Sequence, residues 1–391
     1  MVLLNDFRRQ WEDTSAAVLA AVAEVGESGW YILGRHVAEC EQALANLWGR
    51  RYAAGVASGL DALEIALRVL GCRAGDRVLT TPLSAFATTL AILKIGAVPV
   101  FVDTDSTGHL DLALCREVLG RRPDIRFLLP VHLYGHVLDL AALRELRAEF
   151  DLQAVEDCAQ AVLAASAGMP AGSVGQIAAT SFYPTKNLGA LGDGGAILTD
   201  DEGFDRMLRI LRDYGQSGKY RHDEIGYNSR LDELQAAILQ RAYLPALPRW
   251  TARRREIAAR YRAGIHADRL QCLPAPPGSE SVHHLFPVLV QRGADTLVCR
   301  VKTRLDAFCP SEQGKPEFIS YMRSKGILCG EHYPLTIPDQ SAMAKAPYEI
   351  ATPIEEARRI AASEVSLPIH PYLTEQEVEY VIGTCNEWRE E

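Results

Sequence analysis

The chain has no apolar run near the ~20 residues that a membrane-spanning helix needs, so no membrane span is expected. It has no excess of positive charge either. Its 41 Lys and Arg face 50 Asp and Glu, for a formal net charge of −9, which argues against a nucleic-acid-binding surface. Its nine cysteines (Cys40, Cys72, Cys115, Cys158, Cys272, Cys299, Cys309, Cys329 and Cys385) include no C-x-x-C pair and are odd in number. Neither a zinc knuckle nor a disulfide framework is indicated, and no metal site is expected. Low-complexity tracts and internal repeats are missing. Residues 1–11 carry charge early and lack the apolar core of a signal peptide. These absences lead us to expect a soluble, cytoplasmic enzyme with reduced thiols.

What is present is an ordinary globular composition, 48% hydrophobic and 23% charged. At 391 residues the chain exceeds a usual single core, so two domains are expected. Helical periodicity marks residues 14–24 and 36–48, with Gly26 and Gly34 as breaks. From Asp76 onward strands and helices alternate. Strands are expected at 77–81, 98–102, 127–131 and 152–155, with helices at 87–95, 112–119 and 140–150 between them. This rhythm, with continuous apolar strands, predicts a mostly parallel central sheet covered on both faces. Ligands of such sheets gather at the carboxyl ends of the strands. Ser84, Phe86, His132, Tyr134, Glu156 and Asp157 stand just past those ends. Pro245 and Pro248 mark a boundary before a long helix at 249–263. The expected division is a large domain over residues 1–248 and a smaller C-terminal α/β domain over 249–391. The basic run Arg249, Arg253, Arg254, Arg255 reads as the solvated face of that helix.

One stretch organises the rest. An apolar strand at 177–182 runs into a turn containing Pro184, Lys186 and Asn187, followed by glycines at 189, 192, 194 and 195. Alone, Lys186 would be a solvated turn residue. A lysine must shed its proton to attack a carbonyl, and a glycine-walled loop at a strand end can supply the setting. Upstream, the run 52–57 leads through Ser58-Gly59 into a helix starting at Leu60-Asp61. Free backbone N–H groups at such a helix start make an anion site. Val155-Glu156-Asp157 closes another strand with two carboxylates. Side chains alternate along a strand, so only one of the two can face a given ligand. Gln160 follows three residues later. A lysine, a phosphate-sized anion site, one strand-end carboxylate and an aromatic together match what pyridoxal phosphate requires: an imine partner, a phosphate cradle, a partner for the ring nitrogen and a stacking face.

The sequence resembles the DegT/DnrJ/EryC1/StrS family of pyridoxal-phosphate sugar aminotransferases over nearly its whole length. The resemblance rests on Ser58-Gly59 with Asp61-Ala62-Leu63, Phe86-Ala87-Thr88, Pro130-Val131-His132-Leu133-Tyr134-Gly135 and Val155-Glu156-Asp157 with Ala159-Gln160. It continues through Ser181-Phe182-Tyr183-Pro184-Thr185-Lys186, Asn228-Ser229-Arg230-Leu231-Asp232 with Gln235, and Ser366-Leu367-Pro368-Ile369-His370-Pro371. It implies the type I aminotransferase fold, with Lys186 as the lysine bonded to pyridoxal 5'-phosphate and as the proton shuttle. It further implies Asp157 at the pyridine nitrogen, Gln160 at the ring hydroxyl and Phe86 stacked on the ring. Ser181, with the backbone of Gly59, Leu60 and Asp61, would hold the phosphate. Asn228 would reach the phosphate of a neighbouring subunit, hence a homodimer with shared active sites.

Two departures from the family pattern stand out. Leu60 replaces a threonine, so weaker phosphate anchoring is expected without loss of the cofactor. The stretch Tyr333-Pro334-Leu335-Thr336-Ile337-Pro338 lacks the family's histidine at its end, which bears on the substrate. Residues 309–317 also look longer than usual. Because Lys186 is retained where sugar-dehydrating relatives have histidine, the expected reaction is transamination, with L-glutamate as donor and a nucleotide-linked keto-deoxysugar as acceptor. A cyclitol ketone is an alternative acceptor, and a non-catalytic regulatory member of the fold is the alternative from another class.

Overall fold

The computed structural model describes residues 1–291 and 314–389. Two sheets carry the fold, shorter ribbons aside. In chain order their strands are β1 (Tyr52–Val56), β2 (Arg77–Thr80), β3 (Val98–Phe101), β4 (Ile125–Leu129), β5 (Gln153–Asp157), β6 (Ile177–Ser181), β7 (Gly195–Thr199), β8 (Leu270–Cys272), β9 (Phe286–Val290), β10 (Glu349–Ile350) and β11 (Glu364–Leu367). The large sheet has eight strands in the order β1-β7-β6-β5-β4-β2-β3-β10. Pairing is parallel from β6 through β5, β4, β2 and β3 to β10; β7 runs antiparallel to both β6 and β1. The expected α/β architecture with a mostly parallel central sheet is the one observed. The connections diverge at β2, whose neighbours β3 and β4 lie on either side of it, the kind of point beside which open α/β sheets take their ligands.

Local chemistry explains the helix starts. Asp111, Asp139, Asp201 and Asp232 each precede a helix and accept backbone N–H bonds from its first turn, satisfying donors that have no partner within the helix. The last helix, Glu375–Glu387, opens with a capping box between Thr374 and Glu377.

Two boundary expectations need correction. Gly26 does not break the first helix, which runs from Phe7 to Ser28 and ends where Gly29 adopts a left-handed φ of 63°. A glycine is tolerated inside a helix, and only the position past its end requires the left-handed conformation. Pro245 and Pro248 lie inside the helix Leu244–Gly264 instead of preceding it. The helix Leu244–Gly264 continues directly from the helix Glu233–Ile238 through a π turn at Leu239–Tyr243, where Leu244 N bonds Leu239 O, so the missing N–H of Pro245 falls where the hydrogen-bond ladder shifts register.

Buried side chains form a large core under the main sheet and a separate one around β8-β9-β11. The second contains Ile257, Tyr261, Phe286, Phe318, Leu367, Val378 and Trp388, joined by Val2 from the start of the chain. The helix Leu244–Gly264 serves both cores, with Trp250 in the first and Ile257 and Tyr261 in the second. Of the nine cysteines, the seven among the described residues are free. Cys299, Cys309 and residues 309–313 of the expected long segment fall outside the described residues. No described helix is long and apolar enough to cross a membrane.

Candidate active site

The two carboxylates ending β5 face opposite ways. Glu156 is fully buried and accepts from the backbone N–H of Gly172 (3.0 Å), Val174 (2.7 Å) and Gly175 (2.6 Å), with His132 Nε2 at 2.8 Å. Burial alone would raise its pKa, but His132 and those backbone donors outweigh it and hold the carboxyl below its ordinary value. Asp157 turns to the other face. Its Oδ2 accepts from Thr88 Oγ1 at 2.9 Å and its Oδ1 from Ala159 N at 3.1 Å. Thr88 spends its one hydroxyl proton on Asp157, so it accepts from Ser84 Oγ, 2.9 Å away in the bend that precedes the helix. Ser84, Thr88 and Asp157 form a directed chain that fixes the carboxylate.

Lys186 stands in the turn after β6. The turn is closed by Lys186 N to Tyr183 O (2.8 Å) and Ala190 N to Phe182 O (2.7 Å). Gly189 is required here, because a Cβ would lie 2.4 Å from Pro184 O. Burial pushes the Lys186 ammonium down to about 8, against the opposing charge of Asp157. That charge is felt because the turn carrying Lys186 follows β6, the strand paired with β5. Near neutral pH this amine therefore exchanges its proton far more readily than a surface lysine.

The anion site lies between β1 and the helix Gly59–Val69. Ser58 caps that helix by accepting Asp61 N at 3.1 Å. This leaves the N–H groups of Gly59 and Leu60 at the helix start without an acceptor among the described residues. A Cβ at Gly59 would sit 2.5 Å from Ser181 Cβ, so only glycine lets the end of β6 press against the helix start and add the Ser181 hydroxyl to those amides. Asp61 does not offer its N–H; its carboxylate instead accepts from Ser229 Oγ at 2.6 Å. Leu60 is half-buried against the core of that helix, which accounts for an apolar residue there.

Gln160 closes the opposite side. Its Oε1 accepts from Tyr134 N (2.7 Å) and its Nε2 donates to Tyr333 Oη (3.3 Å). A basic amine under the charge of a fixed carboxylate, a helix-start anion cradle pressed against the end of β6, and an amide bonded to Tyr333 thus stand on neighbouring elements. The family model described as the DegT/DnrJ/EryC1/StrS aminotransferase family matches residues 12–386. The chain belongs to this family.

As an aminotransferase it is 39% identical over 388 residues to the "dTDP-3-amino-3,4,6-trideoxy-alpha-D-glucose transaminase" of Streptomyces venezuelae, covering 98% of this chain and 95% of that one. It is 34% identical, over 99% of this chain and 98% of the relative, to a "Pleiotropic regulatory protein" of Geobacillus stearothermophilus. The crystal structure of S. venezuelae DesV in complex with a ketimine intermediate superposes with a TM-score of 0.88 at 37% identity, covering 99% and 98% of the two chains. The expected type I aminotransferase fold agrees with these neighbours.

The remaining expected residues of the aminotransferase lie as follows. Phe86 is half-buried, opens the helix Phe86–Lys94, and packs on the cluster of Phe101, Ile337 and Met343. Ile337 belongs to the departing stretch, and its N–H bonds Pro82 O at 2.7 Å, so that stretch props the segment carrying Phe86. Asn228 is exposed and accepts from Arg230 at 2.5 Å; no hydrogen bond ties it to Lys186. Sequence reasoning missed Thr88, Tyr333, His332 and His284 as site residues. Thr88 stands in the first turn of the helix after β2, close to Phe86 and Ser84, which was a readable signal, whereas Tyr333 and His332 come from a distant segment that only tertiary folding brings in. Tyr134 donates from its hydroxyl to His332 O at 2.8 Å. His284 Nδ1 lies 3.3 Å from Asn187 Oδ1. His132, by contrast, serves Glu156 on the far face. A cavity of about 790 Å³ bounded by Lys315, Glu331, Leu335 and Arg358 adjoins the same distant segment. None of Lys186, Asp157 or Gln160 lines it, so the reactive groups do not meet there.

Proposed function

We propose that this chain uses pyridoxal 5'-phosphate to move an amino group from L-glutamate onto the keto carbon of a nucleotide-linked deoxysugar. The observation that carries the reading is Lys186, its ammonium pushed down to about 8 within the influence of a carboxylate with two fixed donors. The residues fit the cofactor. The free N–H groups of Gly59 and Leu60, with the Ser181 hydroxyl, suit a phosphate. Asp157 suits the protonated pyridine nitrogen, Gln160 the ring hydroxyl, Phe86 the ring face and Lys186 the aldehyde. When bound, pyridoxal phosphate supplies a ring that accepts the electron pair released at the substrate carbon.

The chain's own residues then do the rest. Lys186 holds or releases a proton at Nζ near neutral pH, which suits it as acid and base. Asp157 stays oriented because Thr88 and Ala159 hold both its oxygens. Ser84 keeps Thr88 aimed. The sugar class follows the named activity of the Streptomyces venezuelae relative.

The reading includes a homodimer. Trp30, Tyr31, Ile32 and Leu191 are exposed. They border the helix Glu233–Ile238, since Glu233 N donates to Tyr31 O, Ile32 bridges Asp232, and Leu191 N donates to Gln235 Oε1. An apolar face of this kind supports a second copy, with Asn228 reaching the partner's phosphate. A cytoplasmic location and a division into residues 1–248, which bind the cofactor, and a smaller part from 249 to 391 complete the reading; the separate second core supports the division.

The test is a panel of nucleotide-linked keto-sugars, with glutamate as donor and the cofactor's visible absorption as a second readout. We expect amine transfer to at least one member. A purified protein that takes up no chromophore and aminates none of them would overturn the reading.

A further inference from the structure

β11 places Glu364 and Ser366 two residues apart, so both side chains leave the strand on the same side. Both are fully buried. The segment 330–332 runs antiparallel beside them, with Gly330 paired to Ser366 through N–H···O bonds of 3.0 and 2.8 Å. This register sets His332 opposite Glu364. Three hydrogen bonds result. His332 N donates to Glu364 Oε2 at 2.6 Å, Ser366 Oγ donates to Glu364 Oε1 at 2.5 Å, and His332 Nδ1 lies 2.9 Å from Ser366 Oγ. The other ring nitrogen, Nε2, has no partner among the described residues. The ammonium of Lys186 is close enough that, after burial, its charge is the main influence holding His332 down, to about 4.

Hydrogen-bond inventory makes the ring directional. While Glu364 is ionised it takes the Ser366 proton, Ser366 can only accept, and His332 must carry its hydrogen on Nδ1 with Nε2 bare. When Glu364 is protonated, Oε2 is still occupied by the His332 backbone N–H, so the acid proton sits on Oε1 and points at Ser366. Ser366 then donates to Nδ1, and the ring hydrogen is on Nε2.

We propose that Glu364 is a positioning residue that, through Ser366, selects which ring nitrogen of His332 carries hydrogen, so that His332 presents a bare nitrogen or an N–H to whatever is bound beside Lys186. The proton count balances. A proton arriving at Nε2 displaces the one on Nδ1 to Ser366 Oγ, whose own proton passes to Glu364 Oε1; the net change is one proton stored on a buried carboxyl. Burial pushes Glu364 up to about 7, against the donors Ser366 and His332 N–H and the cation of Lys315, with Glu331 adding to the rise. Lys315 is itself held by Glu331 at 2.8 Å and by Ala361 O at 2.9 Å. Tyr134, Tyr333 and Cys329 also face Glu364, and His284 faces His332; burial keeps the two phenols and the thiol protonated and His284 neutral across this range. Among these groups around Glu364 it is the one that changes charge near neutrality; Lys186, at about 8, also titrates in this range, which is why the test uses protein whose Lys186 amine is bonded to the cofactor. The inference rests on the reading of Lys186 as the reactive amine.

The test uses cofactor-loaded protein carrying nitrogen-15 in its histidine rings, with long-range proton–nitrogen correlations and the His332 signal assigned by its loss in His332→Gln. In the wild type, hydrogen should sit on Nδ1 at about pH 8.5 and on Nε2 at about pH 5.5, since His332 is neutral at both. Glu364→Gln, whose amide donates to Ser366 at every pH, should show Nε2–H throughout and lose any limb near pH 7 from its kcat/KM profile. Ser366→Ala should abolish the pH-dependent switch. A wild-type tautomer that does not change with pH, or a Glu364→Gln enzyme that still switches, overturns the proposal. A switch observed in a protein that aminates no keto-sugar leaves the relay standing and refutes the sugar reading instead. Amine transfer with a fixed tautomer does the reverse.

Discussion

Two fully buried glutamates in this molecule have opposite fates. Glu156, at the back of β5, meets three backbone N–H donors and His132, and its carboxyl is held below the ordinary range. Glu364, on β11, has one hydroxyl and one backbone N–H, and burial wins, lifting it to about 7. Equal burial thus yields a permanent structural anion in one place and a group poised to titrate in the other; the number of donors decides. Asp157, adjacent to Glu156, has two donors of its own, and the charge of Lys186 acts on the same site.

The largest effect should come from separating neighbours on β5. Asp157→Asn should cut amine transfer by roughly 10²–10⁴-fold with little change in melting temperature, because an amide keeps the shape but not the charge. Glu156→Gln should do the opposite. Its NH₂ would confront backbone donors, costing about 2–4 kcal/mol of stability, while turnover per folded molecule stays near wild type. Kinetics and thermal melts on the two variants side by side would break the comparison if both lost activity equally.

That pair also marks how far the sequence could be read. Strand alternation says that one of Glu156 and Asp157 faces the cleft, but only the motif resemblance said which. The rhythm of strands 77–81 through 152–155 was legible because buried parallel strands are continuously apolar, and Lys186 was legible because its loop is short and local. His332, Tyr333 and Glu364 lie well over a hundred residues from Lys186 in sequence, and no local pattern announces an antiparallel register between 330–332 and β11.

The next effect in size is pH-dependent and has opposite signs at the two glutamates. Glu156 has a depressed folded value, so its contribution is present above the ordinary carboxylate range and is lost as acid titrates it. Glu364 has a raised folded value, so the native state loses stability as pH climbs from about 4.5 through about 7. Glu364→Gln should therefore match wild type near pH 4.5 and exceed it above pH 7 by up to roughly 3 kcal/mol, as read in denaturant melts. An equal difference at both pH values would contradict the assignment.

Smaller effects are expected at the anion site. Gly59→Ala forces its new Cβ onto Ser181, and should weaken cofactor binding by about 1–3 kcal/mol, measured by equilibrium dialysis. Leu60→Thr should change that affinity by no more than about 1 kcal/mol, because the backbone N–H and not the side chain serves the anion. A large gain would show that Leu60 is a functional loss.

The most direct test of the central claim, that Lys186 is the amine joined to pyridoxal phosphate, is borohydride reduction of the loaded protein followed by peptide mass mapping. The reduced cofactor should appear on the peptide containing Lys186, and on none of Lys94, Lys219, Lys302, Lys315, Lys325 or Lys345. Attachment at any of those, or no attachment with the cofactor demonstrably bound, would contradict it.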